Sequence, residues 1–465
     1  MQKKSNGNPP QVASSDRLGS MPVGRLLFTM AAPMIVSMII QAFYNIIDSI
    51  YVSQISENAL TAVSLVFPLQ TLMIAVCTGL GVGMNASLSR SLGEGDAPRA
   101  NRIALNALFL ILISVVVFTL VGLLGARAFL STQTDIDEIV DGGTTYLTIC
   151  MGLCVFLFFE ITFERLLQAT GRTLDTMISQ GVGAILNIIF DPILIFGRYG
   201  FPEMGIAGAA VATVFGQAVA CVLAIVFHQA KNKEIRLKFR GFRPSWELCR
   251  VVLAIGVPSI LMQAIGSVMC FGMNQILLSF VSTAAAVFGV YFKLQSMVFM
   301  PVFGLNNGMV PIIAYNYGAR RKDRMLKTIR LSAVTAVVMM LAGLAVMQAA
   351  PETMLRLFNA DDNMLDIGVP ALQTLSISFL FAGFGIVISS VFQALGNGVY
   401  SLIISFVRQV IVLLPAAYLL SLSGRVELVW WAFPIAEVAS VVCCLVFLAR
   451  VNRRILKPMD EAQRR

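Results

Sequence analysis

Residues 79–93 read GLGVGMNASLSRSLG, and residues 304–318 read GLNNGMVPIIAYNYG. The glycines at 79, 83 and 93 of the first stretch recur in the second, each 225 residues later (79 to 304, 83 to 308, 93 to 318). The same offset relates Pro33 to Pro258. A repeat at one offset predicts two copies of one fold, and a duplicated membrane bundle places a binding site between its halves.

The composition is that of a membrane protein. Hydrophobic residues make up 57% of the chain, charged residues 13%, and the mean hydropathy is +0.81. Soluble domains carry roughly 25% charged residues, and a spanning helix needs about 20 apolar residues. Hydrocarbon cannot satisfy free backbone polar groups, which favours helices. The sequence predicts an all-α membrane protein of twelve transmembrane helices in two six-helix bundles, at about 26–52, 59–89, 103–126, 144–170, 174–197, 204–229, 247–280, 284–315, 328–350, 365–395, 400–422 and 428–450.

The loops between these segments alternate in charge. Lys and Arg concentrate at both chain ends and at 231–250 and 320–330, whereas 131–142 and 352–366 are acidic. The positive-inside rule therefore predicts cytoplasmic termini and a multi-pass protein of the cell inner membrane. This topology also accounts for the net charge of +9. Nucleic-acid binding is not expected, because the basic residues are dispersed without interleaved aromatics.

The chain divides into five expected parts. A polar stretch at 1–24 is expected to be a disordered cytoplasmic tail. The two six-helix bundles are expected at 25–230 and 247–452, joined by a cytoplasmic linker at 231–246. Residues 453–465 are expected to form a second cytoplasmic tail.

Nucleotide and metal motifs are absent from the sequence. No Gly-Lys dipeptide occurs, so there is no Walker A loop for ATP. His228 is the one histidine, which excludes a two-histidine zinc helix. The eight cysteines have the positions of small core residues. We therefore expect neither a cofactor nor an enzymatic activity.

Charged residues inside spans are costly and mark functional sites. Asp48 and Asp191 lie toward the outer ends of two spans that both run outward. Tyr44 and Asn187 each precede one of them by a helical turn, and Thr213 lies at similar depth. Two carboxylates with amide and hydroxyl oxygens can hold protons or one hard cation such as sodium. The sequence predicts a coupling site at these five residues.

Two further acids share one helix face. Glu164 lies near the cytoplasmic end of its span, where pairing with Arg165 or Arg408 would make it structural. Glu160 lies deeper, where it could contact a cationic substrate or carry a proton.

The remaining candidates are harder to assign. Lys293 either tethers its bundle or faces a cavity, and Glu437 is expected to have a structural partner. Met269 and Met297 belong to a methionine-rich set that would suit a promiscuous pocket, although methionines also fill gaps in helix bundles. Glu160, Lys293, Met269 and Met297 are therefore tentative substrate-cavity residues.

Several of these runs resemble the multidrug and toxic compound extrusion (MATE) transporters, and the last of them the MepA-type subgroup. The similarity covers roughly residues 25 to 450. The runs are YNIID at 44–48, NIIFDP at 187–192, GIAGAAVAT at 205–213, YFKLQ at 291–295, PVFG at 301–304 and PIIAYNYG at 311–318.

The resemblance implies two bundles in a V around a central cavity, related by a pseudo-twofold axis. It implies export of amphipathic, often cationic drugs in exchange for sodium or protons. Asp48, Asn187, Asp191 and Thr213 match the family's cation site, and Pro33 matches a proline where span 1 bends. The chain departs from a sodium-driven branch of the family, which has acids on spans 7 and 10, because no acid lies at depth on either.

The function expected from the sequence is efflux antiport by alternating access. The expected partners are small drug-like substrates and membrane lipids, with proton or sodium as the coupling ion, and the chain is expected to be a monomer. A lipid-linked oligosaccharide flippase of the same superfamily is the alternative, and it would have a more basic cavity. A membrane-embedded enzyme is not expected, because the sequence shows no nucleophile–base cluster within the spans. A channel is not expected, because the charges form no repeated ring.

Overall fold

The computed structural model describes residues 14–358 and 360–459, and the regular elements among these residues are helices. Ten helices are long and apolar enough to cross a membrane, and two further spans are pairs of helices separated by a bend. The spans in chain order are Val23–Ser53 (span 1), Glu57–Gly93 (2), Ala97–Ser131 (3), Asp137–Gly152 with Val155–Ala169 (4), Thr173–Phe196 (5), Ile206–Lys231 (6), Trp246–Leu278 (7), Ser282–Gly318 (8), Lys322–Ala349 (9), Asp362–Ser376 with Phe379–Ala394 (10), Gly398–Ser421 (11) and Val426–Met459 (12).

Shorter elements complete the description. Ser14–Ser20 and Pro351–Arg356 are short α-helices, and Arg198–Gly200 is a single 3₁₀ turn. Three of the spans contain π-helical stretches, at Val121–Gly125, Val407–Leu413 and Asn452–Leu456. The twelve predicted segments are confirmed, with ends displaced by up to nine residues.

Spans 4 and 10 differ from the prediction because each is broken near its middle. The paired helices bend by 43° in span 4 and by 48° in span 10. A break frees backbone carbonyls that lipid cannot satisfy. The hydroxyl of Thr119 on span 3 donates to the carbonyl of Met151 (3.4 Å), and the amide of Gln348 on span 9 donates to the carbonyl of Gln373 (2.7 Å). Partners on neighbouring spans therefore make the breaks tolerable, and hydropathy cannot reveal them.

The amino-terminal tail also differs from the expectation of disorder. Its residues 1–13 lie outside the described residues, but Ser14–Ser20 forms a helix with Leu18 fully buried. The carbonyl of Leu18 accepts hydrogen bonds from Asn316 Nδ2 and Arg324 Nη2, each at 3.1 Å. The end of the tail is thus anchored on spans 8 and 9.

The two halves repeat one packing pattern. Span 5 packs against spans 1 and 6 in the first half, and span 11 packs against spans 7 and 12 in the second. Spans 5 and 11 also begin and end 225 residues apart (Thr173 and Gly398, Phe196 and Ser421). The repeat read from the sequence is therefore a repeat of structure.

Glycines of the repeat mediate the contact between the halves. Span 1 packs on span 8, and span 2 packs on span 7. A Cβ atom added to Gly308 would lie 2.7 Å from the Cα atom of Ala31, and one added to Gly83 would overlap the carbonyl of Val252. We call the six repeated glycines at these crossings the glycine contacts: Gly79, Gly83, Gly93, Gly304, Gly308 and Gly318.

Gly93 and Gly318, the last residues of their helices, show the twofold relation between the halves directly. A Cβ on Gly93 would overlap the carbonyl of Tyr315, and a Cβ on Gly318 would overlap the carbonyl of Arg90. Residues 90 and 315 are themselves 225 apart, so the crossing of span 2 with span 8 is symmetric about the pseudo-twofold axis. The absence of side chains lets the backbones approach closely, as small residues do at other membrane helix crossings.

Adding one methyl group at a glycine contact should destabilise the closed arrangement. We expect Gly308→Ala to lower the thermal midpoint of the detergent-purified protein, because overpacking against backbone costs about 1–3 kcal/mol. Gly289→Ala is the matched control on the same span, since nothing lies within 4 Å of its added Cβ. That control should leave the midpoint unchanged or raise it. Equal thermal midpoints for the two variants would contradict the close approach of Gly308 to the backbone of span 1.

Candidate functional site

The centre of the predicted coupling site is a buried hydrogen-bonded set on spans 5 and 6. Asp191 is completely buried, and Asn187 is 3% exposed. In the amide orientation that suits its neighbours, Asn187 Nδ2 donates to Asp191 Oδ2 (3.2 Å). The amide oxygen of Asn187 accepts from the hydroxyl (3.3 Å) and the backbone N–H (3.2 Å) of Thr213. Three of the five predicted residues are thus directly linked.

Asp48 and Tyr44 approach this set from span 1, which packs along span 5. Asp48 is close enough to Asp191 for the two carboxylates to interact electrostatically, and Tyr44 is in range of both and of Glu160. Asp48 Oδ1 and Glu160 Oε2 are buried without a hydrogen-bond partner in the described chain. Buried carboxylate oxygens without a donor are costly unless a proton or a cation accompanies them.

Glu164 belongs to a separate network in the same half. Its carboxylate accepts from Gln180 Nε2 (2.6 Å) and Ser179 Oγ (3.3 Å) on span 5. Ser37 on span 1 donates to the amide oxygen of Gln180. The sequence suggested Arg408 as one partner of Glu164, but Arg408 lies in the second half and pairs there. Hydrogen bonds between spans 1, 4 and 5 hold Glu164 instead.

A cavity of about 810 Å³ opens between the halves, lined mostly by the second. Its charged residues in the described chain are Arg165, Arg408 and Glu437. Arg408 Nη1 donates to Glu437 Oε1 at 2.7 Å, which gives Glu437 the structural partner expected of it. Arg165 Nη1 donates to Gln168 and to Asn307, each at 2.9 Å, and so bridges span 4 to span 8.

The tentative cavity residues are dispersed. Met269 lines the cavity, and Glu160 lies instead near Tyr44. Lys293 is exposed and lies outside the lining, with its ammonium 5.9 Å from the ring centre of Phe358. Met297 is 44% exposed and also lies outside the lining. Span 1 continues as one helix through Pro33, where the predicted bend stays a prediction.

Sequence reasoning missed the bridging role of Arg165. It was considered only as a partner for its neighbour Glu164, because its contact on span 8 lies 142 residues away. The sequence feature that could have indicated this role is the position of a charged residue within a span, which predicts either a partner or a function.

No three His, Cys, Asp or Glu side chains in the described parts of the chain lie close enough together to hold a metal ion. A sodium ion would therefore need the neutral oxygens of Asn187 and Thr213 as well as the carboxylates of Asp48 and Asp191. Both oxygen types are suitable ligands for a hard cation.

The Arg408–Glu437 pair allows a double-mutant test. Arg408→Gln leaves Glu437 buried without its ion-pair partner, which should cost about 3–5 kcal/mol. Arg408→Gln combined with Glu437→Gln removes both charges and should recover much of the loss. The thermal midpoints of both single variants (Arg408→Gln and Glu437→Gln), the double variant and the wild type measure this coupling. Additive losses would show that the pair does not stabilise the second half.

Comparisons with known proteins agree with this architecture. The family model MatE matches residues 33–193 and 258–419, about two thirds of the chain. The multidrug export protein MepA of Staphylococcus haemolyticus (strain JCSC1435) is 24% identical over 91% of this chain and 92% of its own length. An FAD transporter of Shewanella oneidensis (strain MR-1) is 27% identical over 94% of this chain and 97% of its own.

Solved structures give the same fold. An outward-facing multidrug resistance MATE transporter of the MOP superfamily superposes with a TM-score of 0.89 at 25% identity, covering 96% of this chain and 99% of the other. A MOP superfamily transporter from Pyrococcus furiosus, described as having a binding pocket of reverse polarity, gives a TM-score of 0.88 at 26% identity over the same shares. Since the family model matches both halves at their repeated positions, the chain is a multi-pass membrane protein of the MatE family of transporters.

Proposed function

We propose that this chain is a secondary active exporter that exchanges amphipathic small molecules for protons or sodium ions. The observation that carries the proposal is the separation of two sites. Asp191, which is fully buried, and Asp48, which is half-buried, would form one site within the first half, and the open cavity between the halves would be the other. Two sites that are linked to the same conformational change can couple the movement of an ion to the movement of a cargo.

The coupling follows from differential binding. A proton or cation at Asp48 and Asp191 would neutralise charge that the bundle otherwise holds without full compensation. If the ion and the cargo favour opposite-facing states, the ion gradient biases the direction of exchange. We take the glycine contacts to be the closed end of the cavity, and their reversible separation would supply the second state.

The relatives leave the cargo open. Some are named multidrug export proteins and one is named an FAD transporter. Amphipathic cargo is compatible with both names and with a cavity lined by phenylalanines, amides and arginines. The cationic preference expected from the sequence stays a prediction, as does a monomeric state.

We assign the ion site to the unit at 25–230 and most of the cargo lining to the unit at 247–452. The linker at 231–246, both chain ends and the closed end of the cavity would then face the cytoplasm, in a bacterial inner membrane. The distribution of Lys and Arg supports this orientation.

Neutralising either carboxylate of the ion site should uncouple transport. We expect Asp48→Asn and Asp191→Asn to abolish gradient-driven dye uptake in proteoliposomes, while dye binding to the purified variants is retained. Proton and sodium gradients are imposed separately, with cationic, neutral and anionic fluorescent dyes. Glu203→Gln, an exposed acid in the loop between spans 5 and 6, is the control and should transport normally. Full transport by both site variants would refute the assignment.

The proposed orientation is tested by labelling in whole cells. In a cysteine-free background, Asp135→Cys should react with an impermeant maleimide added outside intact cells. Lys238→Cys should react only after permeabilisation. Both positions are exposed, so accessibility within the fold does not limit either reaction. The reverse pattern would invert the topology and place the carboxylates toward the cytoplasm.

A further inference from the structure

The cavity between the halves has a net positive lining. Among the described residues, Arg165 and Arg408 provide two positive charges and Glu437 one negative charge. The rest of the lining is neutral, with many amides and hydroxyls beside the aromatic rings. Such a site would repel a cation and attract an oxyanion, and the effect is larger in a cavity with low-dielectric walls than in water.

Arg165 is available to an anion because its hydrogen-bond partners are neutral and Glu164 interacts with its charge without a direct ion pair. Its guanidinium donates to the amide oxygens of Gln168 and Asn307, and it makes no direct ion pair with any residue that the structure describes. It crosses from the first half to the second at the cavity wall. An anion bound there would therefore contact a residue shared by both halves.

Arg408 is presented by an irregular stretch of span 11. The π-helical segment Val407–Leu413 carries Arg408 and Gln409, both part of the lining. Segments of this type recur at functional sites, because they widen the helix and re-aim side chains. A single contact to Glu437 Oε1 holds Arg408 in place.

Glu437 lies in the wall of the cavity and is mostly buried. The residue is 9% exposed, and its Oε2 atom is buried without a hydrogen-bond partner in the described chain. Its Oε1 atom accepts from Arg408, so the negative charge of Glu437 offsets part of the positive charge of Arg408.

The hydrophobic part of the lining is aromatic. Phe292, Phe299 and Phe303 on span 8 and Phe433 on span 12 line the cavity together with Met262. Aromatic side chains favour planar rings through offset stacking and edge contacts. The volume of about 810 Å³ is in the range of sites for drug-sized ligands, roughly 300–1,000 Å³.

We propose that this cavity binds aromatic compounds that carry a phosphate or carboxylate group. Arg165 and Arg408 contact the oxyanion, and the phenylalanines contact the ring. Planar guanidinium groups match both oxyanions. The proposal rests on the transport function proposed above and names the charge class of its cargo.

The test compares two probes that share one ring system. Flavin mononucleotide carries a phosphate, and riboflavin is its neutral counterpart. Calorimetry on the full-length protein in nanodiscs of neutral phosphatidylcholine measures both. We expect flavin mononucleotide to bind about tenfold more tightly than riboflavin, since charge-assisted bonds supply the difference. Equal affinities would overturn the proposal.

Substitutions assign the difference to the arginines. Arg165→Gln should weaken flavin mononucleotide binding about tenfold and leave riboflavin nearly unchanged, and Arg165→Lys should restore part of the loss. Glu437→Gln should strengthen flavin mononucleotide binding, because it releases Arg408 from its partner. Arg102→Gln is the control, since it removes the same charge from an exposed position at the start of span 3. Weakening by Glu437→Gln in a folded protein would refute the role of the pair.

Two further measurements separate the alternatives. If phosphatidylglycerol in the nanodisc displaces flavin mononucleotide, the site takes a lipid headgroup and the proposal of aromatic cargo fails. The proteoliposome dye assay tests transport independently of the flavins. Dye transport without preference for flavin mononucleotide would refute this inference and leave the exporter assignment standing. Flavin mononucleotide binding without any transport would refute the exporter assignment and leave the anion-binding site standing.

Discussion

The structure depends throughout on one constraint: hydrocarbon provides no hydrogen-bond partner for a backbone group or a charge. Helices satisfy the backbone within each span. Where spans 4 and 10 break, side chains from neighbouring spans donate to the carbonyls of Met151 and Gln373 in addition to partners within the same span. The same constraint collects the ionisable residues into a few internal groups, each with its own set of partners. The positions of the polar groups therefore indicate where the protein can accommodate water, ions or cargo.

The two halves share the same arrangement of helices but differ in their charged residues. Adding 225 to the positions of Asp48 and Asp191 gives Met273 and Ala416, and subtracting it from the position of Arg408 gives Gly183. Met273 is fully buried in the apolar core of the second half. The two copies have kept their helix packing and diverged in their charges. The first half provides Asp48 and Asp191, whereas the second half provides Arg408 and its partner Glu437.

The sequence predicted most of the scaffold and part of the site. Hydropathy predicts the twelve spans. The repeated glycines are visible in the sequence, but only the structure shows that they lie where spans of the two halves cross. Asp191, Asn187 and Thr213 were identified because helical spacing and depth are local properties. The grouping of Glu160 with Tyr44, and the bridge from Arg165 to Asn307, involve residues far apart in the chain. Such long-range placement depends on how whole spans pack, which composition and periodicity do not specify.

The glycine contacts have a consequence for how the closed end responds to its surroundings. At most of the glycine contacts main chain meets main chain, so these contacts involve dispersion between uncharged atoms. Dispersion between such atoms does not change with pH or ionic strength over the physiological range. The glycine contacts themselves therefore neither sense nor consume protons. Chemical sensing is left to the carboxylates inside the first half, so the seal and the sensor can change independently during evolution.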